Sequence, residues 1–167
     1  MTAKYRQPTE EEKEEIYKFY KYIFLSSFDK QKKINLIYSI FQWAPWSWRV
    51  VGISIDALRE YKKNDFKRKS GFCRDHFIQD RIVTVKLMLD KILPFEKWWS
   101  LFWKNDQTRL ITKKEHNSKA KTKISRIIDI DYKLGYFVCQ NRVGYNYAKK
   151  REGKFLEKLI KDNNLDI

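Results

Sequence analysis

"GFCRDHFIQDR" (residues 71–81) and "TRLITKKEHN" (residues 108–117) hold both histidines of the 167-residue chain, and their reading decides the fold. The first stretch is short and apolar at its start, with Gly71 ahead of it and an Asp-His pair at its end, which predicts a strand over 71–77. In the second, "TRLIT" alternates and is rich in β-favouring residues, which predicts a strand over 108–112. "KKEHNSKAKTKISRII" then returns to a helical composition. Between the two lie "RIVTVKLMLDKI" (81–92) and "FEKWWSLFW" (95–103), helical segments broken at Pro94. The order is strand, Asp-His, two helices, strand, helix.

Upstream, Thr9 followed by three glutamates predicts an N-cap with an acidic first turn. Ile16, Phe19, Tyr20, Ile23 and Phe24 then make an apolar stripe at helical spacing. Ile34, Ile37, Phe41 and Trp43 or Ala44 repeat the pattern until Pro45 ends it. In "RVVGISIDALREY" Gly52 suits a turn and Ser54 a cap, with Ile55, Leu58, Arg59 and Tyr61 starting a short helix. This resembles a helix-turn-helix, in which a second helix enters the major groove, but the signal is weak and plain packing of a helical hairpin is the favoured reading of the same residues. Downstream, a hairpin is expected around Lys133 to Gly135, and a basic amphipathic helix bearing Phe155, Leu156, Leu159 and Ile160 closes the chain. Of the six tryptophans, Trp43, Trp46 and Trp48 form one cluster and Trp98, Trp99 and Trp103 another; core burial is expected ahead of base stacking.

Thirty-six Lys and Arg against 21 Asp and Glu give a net charge of +15, which points to a polyanionic partner. Nucleic acid comes first and an anionic membrane second, because no run approaches the roughly 18 apolar residues that spanning needs. The first 15 residues have no apolar signal-peptide core, so a soluble, cytoplasmic protein is expected. Cys73 and Cys139 form no CxxC pair, and neither a disulfide framework nor a structural zinc site is suggested. With five glycines, three prolines and no repeat, residues 1–167 read as one compact domain.

The pattern of an Asp-His pair ending one strand, "LIT" in a second strand and "EHN" one turn into a helix resembles the HNH, or ββα-metal (His-Me finger), nucleases over Gly71 to Asn117. The resemblance implies an α+β, mostly helical fold with helices around a small ββα-metal core at 71–125, between an N-terminal helical DNA-binding part (1–68) and a basic C-terminal extension (126–167). It implies His76 as general base and Asp75 and Asn117 as ligands of Mg2+ or Mn2+, with His116 taking the place of Asn117 if the register differs by one. In the family an asparagine four residues before the strand threonine pins the histidine loop; that position is Thr108 here, with Asn105 just upstream, and either one is a candidate for the role.

The chemistry agrees with these residue types. Phosphodiester hydrolysis needs a base that titrates near neutrality, which imidazole is, and a hard cation to stabilise the leaving oxygen. Asp75 and His76 point to opposite faces of a regular strand, so they serve one phosphate only if the strand ends there. Arg74, Arg81, Arg109, Lys113, Lys114 and Lys119 flank the centre as phosphate contacts, with structural pairing of Arg81 to Asp80 or Asp106 as its other reading. The expected activity is a metal-dependent endonuclease on double-stranded DNA, of restriction, phage or homing type. A non-catalytic helix-turn-helix-like binding protein and a ribonuclease are the alternatives. Double-strand cutting invites a homodimer, although no sustained heptads mark an interface.

Overall fold

The structure is a computed structural model that describes residues 6–42, 44, 46–66, 71–117, 124–134, 137 and 150–167. Trp43, Lys119, Cys139 and most of the expected tail hairpin lie outside these. The fold is α+β and mostly helical, with a four-stranded mixed sheet. Helix α1 (Glu10–Leu25) begins at the expected Thr9 cap, where the Thr9 hydroxyl accepts from Glu12 N and the Glu12 carboxylate accepts from Thr9 N. α2 (Lys30–Gln42) stops three residues before Pro45.

Residues 49–54 depart from the expectation. They form strand β1 (Arg49–Ser54), and the sheet order β2-β3-β1-β4 makes it an inner strand, parallel to β3 and antiparallel to β4. The helix-turn-helix is therefore not formed: α2 and α3 (Ile55–Lys63) are separated by an extended strand, and residues 1–68 are not wholly helical. Val50, Val51, Ile53 and the absence of polar alternation suit a strand covered on both sides. Gly52 lies within the strand where a side chain does not fit, since an added Cβ would stand 2.7 Å from Ile127 Cγ2. Ser54 does cap α3, accepting from Ala57 N at 3.1 Å.

β2 (Phe72–His76) and β3 (Gln107–Thr112) form an antiparallel pair, with α4 (Arg81–Asp90) and α5 (Phe95–Asn105) between them in sequence. α6 (Lys113–Asn117) follows β3 directly. The helical expectation for the whole of 113–128 is corrected at its far end, where Ile127–Asp129 is strand β4. A short 3-10 turn at Tyr132–Leu134 occupies part of the expected hairpin, and α7 (Lys150–Asp162) is the closing helix.

Two apolar cores result. Sheet residues Val50, Ile53, Leu110 and Ile128 pack with Leu58 and Tyr61 of α3 and Leu156 and Ile160 of α7. The other core joins α1, α2, α4 and α5 around Tyr20, Ile37, Phe41, Met88 and Trp98, with Trp46 also buried there. The tryptophans at these positions are thus core residues, each burying on the order of 150 Å2 or more. Tyr17 and Tyr20 donate to the carbonyls of Leu93 and Met88, fastening α1 over the α4–α5 turn. β2 is an edge strand.

Candidate active site

A pocket opens at the end of β2, lined by Tyr38 of α2, Trp48, Arg74, Asp75, His76, Asp80, Arg81, Ile82 and His116 of α6, with a volume of about 150 Å3. Side chains alternate along β2, and each face has its own partners. Phe72 stacks on Tyr61 at 4.0 Å, Arg74 donates to the carbonyls of Trp48 and Phe137, and His76 lies against the Trp48 ring at 4.7 Å. Asp75 leaves the other side and meets His116, with Oδ1 and Nδ1 3.1 Å apart across 41 residues of chain. Both members of the Asp-His pair still line the one pocket, because the strand ends at His76 and the pocket wraps around that end. His76 is 7% exposed, Asp75 25% and His116 48%, a gradient from buried imidazole to open carboxylate and helix histidine.

α6 decides which residue reaches Asp75. Successive helix residues point about 100° apart, so His116 and Asn117 cannot both face β2. His116 does, and Asn117, at the exposed end of α6, is not among the pocket residues. The short helix is set by Glu115, which is buried beneath it. Glu115 Oε2 accepts from Thr112 N, Thr112 Oγ1 and Ser54 Oγ, while Oε1 accepts from Ser125 N and Ser125 Oγ. Thr112 Oγ1 in turn accepts from Glu115 N, completing a Thr-x-x-Glu capping box. Burial alone would push the Glu115 carboxyl up, but the donors of Thr112, Ser54 and Ser125 outweigh it and hold it below its ordinary range. Cys73, the other sulfur or carboxyl neighbour on this face, goes the opposite way: burial, then Asp75 and Glu115, push its thiol up to about 11. It stays protonated at neutral pH and makes a poor ligand or nucleophile.

Behind His76 stands Asp106, which caps the end of α5. Its carboxylate accepts from Trp48 N at 2.8 Å and from Arg81, and its Oδ1 is 3.9 Å from His76 Nε2. This corrects two expectations. Arg81 is no free phosphate clamp: its guanidinium is buried on Asp106 and lies over the Trp48 ring at 4.1 Å. The Asp106 carboxylate ties down the Trp48 backbone, whereas Thr108 spends its hydroxyl on Arg49 O of β1 and Asn105 is buried at the end of α5. Trp48 holds a left-handed backbone, φ 59°, which a tryptophan adopts at a cost of about 1–2 kcal/mol. The bonds from Trp48 N to Asp106 and from Arg74 to Trp48 O hold it there.

The remaining basic residues vary. Arg74 serves as wall and loop tie through its two carbonyl bonds. Arg109, opposite Asp75 in the β2–β3 register, lies over the Phe77 ring at 3.7 Å and is not part of the pocket wall. Lys113 and Lys114 are exposed at the start of α6. Among the described residues no three His, Cys, Asp or Glu side chains gather as a metal group. A metal would rest on Asp75 and His116 alone. The 3.1 Å contact is itself a hydrogen bond between the two side chains. Among the described residues no helix is long and apolar enough to cross a membrane. No protein-family model, no curated protein and no solved structure matches the chain.

Proposed function

We propose that the chain is a metal-dependent endonuclease of the HNH, or ββα-metal, type that hydrolyses phosphodiester bonds in double-stranded DNA. The observation that carries the reading is the contact of Asp75 with His116, 3.1 Å apart, at the mouth of a pocket that also holds His76. An antiparallel strand pair followed directly by a short helix is the arrangement that brings them there.

In this reading Asp75 and His116 are the side chains that would hold a divalent cation. When bound, such a cation would supply charge stabilisation for phosphodiester cleavage. His76 turns Nε2 toward Asp106, so Nδ1 is the nitrogen that takes a proton from the attacking water. The Trp48 ring packs against the imidazole. Mg2+ or Mn2+ is the proposed cofactor, and the imidazole of His116 favours manganese of the two, because magnesium prefers an all-oxygen set. Lys113 and Lys114, exposed beside the pocket, would track the backbone in a chain of charge +15. A site-specific enzyme of restriction, phage or homing type, working in the cytoplasm, is the setting we propose.

Supercoiled plasmid incubated with the protein and Mn2+ or Mg2+ tests this. Nicked or linear product is expected, absent with EDTA and in His76→Ala and His116→Ala. Tight binding without cleavage in either metal would instead mean a non-catalytic nucleic-acid-binding protein. Faster cleavage of structured RNA than of plasmid would make it a ribonuclease.

A further inference from the structure

The pocket that holds Asp75, His76 and His116 also has an apolar part to its wall, which the chemistry above does not use. Tyr38 of α2 and Ile82, in the first turn of α4, line the same space of about 150 Å3. Ile82 is 46% exposed and Ile78, in the turn that joins β2 to α4, is 39% exposed, although Val85 and Met88 already supply the buried contacts of this helix. Lys86 follows Ile82 by one turn on the same helix face and is exposed too. Of the two aromatic rings in the wall, Trp48 is packed against His76 and the Arg81 guanidinium. Tyr38 is half-buried, with the Arg81 guanidinium over its ring at 5.8 Å.

We propose that Ile82 is a wedge that opens the base step beside the cleaved phosphate, and that Tyr38 stacks on the base so exposed; this rests on the endonuclease reading above. A phosphate at Asp75 and His116 brings the two nucleosides it joins to the pocket wall. There Ile82 and the Tyr38 ring offer aliphatic and aromatic surface, which can lie against the face of a base but reads no hydrogen-bonding edge. An aliphatic side chain placed in this way unstacks a step and kinks the duplex. The size of the pocket decides between opening a step and extruding a base. At about 150 Å3 it is half the roughly 300 Å3 at which pockets start to enclose a small molecule, so it takes a phosphate group while the base stays at the rim. Lys86, one turn on from Ile82, suits the next phosphate along the strand. The favoured substrate is then a duplex whose step at the cut opens easily: a pyrimidine–purine step, a mismatch or a bulge.

Fluorescence anisotropy with short labelled duplexes, fully paired or carrying one central mismatch, tests the proposal in EDTA, where binding is read without cleavage. Wild type should bind the mismatched duplex at least about ten-fold more tightly, because the mismatch has already lost the stacking that the wedge must break. Ile82→Ala should bring that preference below about three-fold with circular dichroism unchanged. Tyr38→Ala should weaken binding of the mismatched duplex by roughly 10- to 100-fold and Tyr38→Phe by less than about two-fold, because the ring and not the hydroxyl makes the contact. Equal affinity of wild type for the two duplexes overturns the proposal, as does binding to neither. A preference that survives Ile82→Ala, or a loss in Tyr38→Phe as large as that in Tyr38→Ala, overturns it too. Incubating the same duplexes with Mn2+ tests the endonuclease reading separately: mismatch-selective binding through Ile82 with no cutting would end that reading and leave the wedge standing.

Discussion

Replacing Glu115 with glutamine keeps the shape of the side chain and removes its charge where three segments of chain meet. The carboxylate takes five hydrogen bonds from Thr112, Ser54 and Ser125, joining the end of β3, the start of α3 and the segment before β4. A glutamine retains one acceptor oxygen and puts an NH2 where the other stood. At least one buried backbone N–H, of Thr112 or Ser125, then faces a donor. A hydrogen bond to a charged group contributes about 1.5–3 kcal/mol, and a stranded buried donor costs about 1–3 kcal/mol. The hydroxyls can rotate to accept from the amide, so a net loss of about 3 kcal/mol is expected for Glu115→Gln. For a domain of this size that is a fall in Tm of roughly 6–12 °C at pH 7, read by calorimetry. The pH dependence has a definite sign. The folded-state pKa of Glu115 is depressed, so its contribution is complete above the unfolded value of about 4.3 and is lost as pH falls through the folded value. The Tm gap between wild type and Glu115→Gln should therefore close below about pH 4. A gap under about 2 °C at pH 7, or one that stays constant down to pH 3, would refute the reasoning.

Three further outcomes follow from the site. His76→Ala should lower the plasmid cleavage rate by about 10²- to 10⁴-fold with Tm changed by only a few degrees, since the ring contributes no hydrogen bond to the fold; retention of full activity would remove it as the base. Mn2+ should raise the Tm of wild type and of Asn117→Ala but not of Asp75→Ala or His116→Ala, and a response lost in Asn117→Ala instead would move the ligand by one residue. Arg81→Ala leaves the buried Asp106 carboxylate without its cation and should cost about 3–5 kcal/mol, measured by urea unfolding; a change below 1 kcal/mol would show that water reaches Asp106.

Periodicity and capping made most elements legible. Thr9 with Glu12, Ser54 with Ala57, and Pro94 between α4 and α5 are short-range signals, and each marks a boundary in the structure. The strands at 72–76 and 107–112 were readable from β-favouring residues on either side of the helices. β1 was not, because Gly52 and Ser54 look like turn chemistry in a local window, and only pairing on both sides with β3 and β4 turns them into a strand. The Thr112-x-x-Glu115 box was legible in principle from spacing alone.

By itself the sequence determined the ingredients: a basic surface, an Asp-His pair at the end of a strand, and a histidine and an asparagine one turn into a helix. What the tertiary structure decided was the choice among them. His116 and not Asn117 meets Asp75, because Glu115 is drawn beneath α6 by donors 10 and 61 residues away and so fixes the helix's rotation. Arg81 became the buried partner of Asp106, 25 residues distant, and is not an exposed cation. Helix phase and ion pairing of this kind depend on the free energy of long-range contacts, which local propensity does not encode.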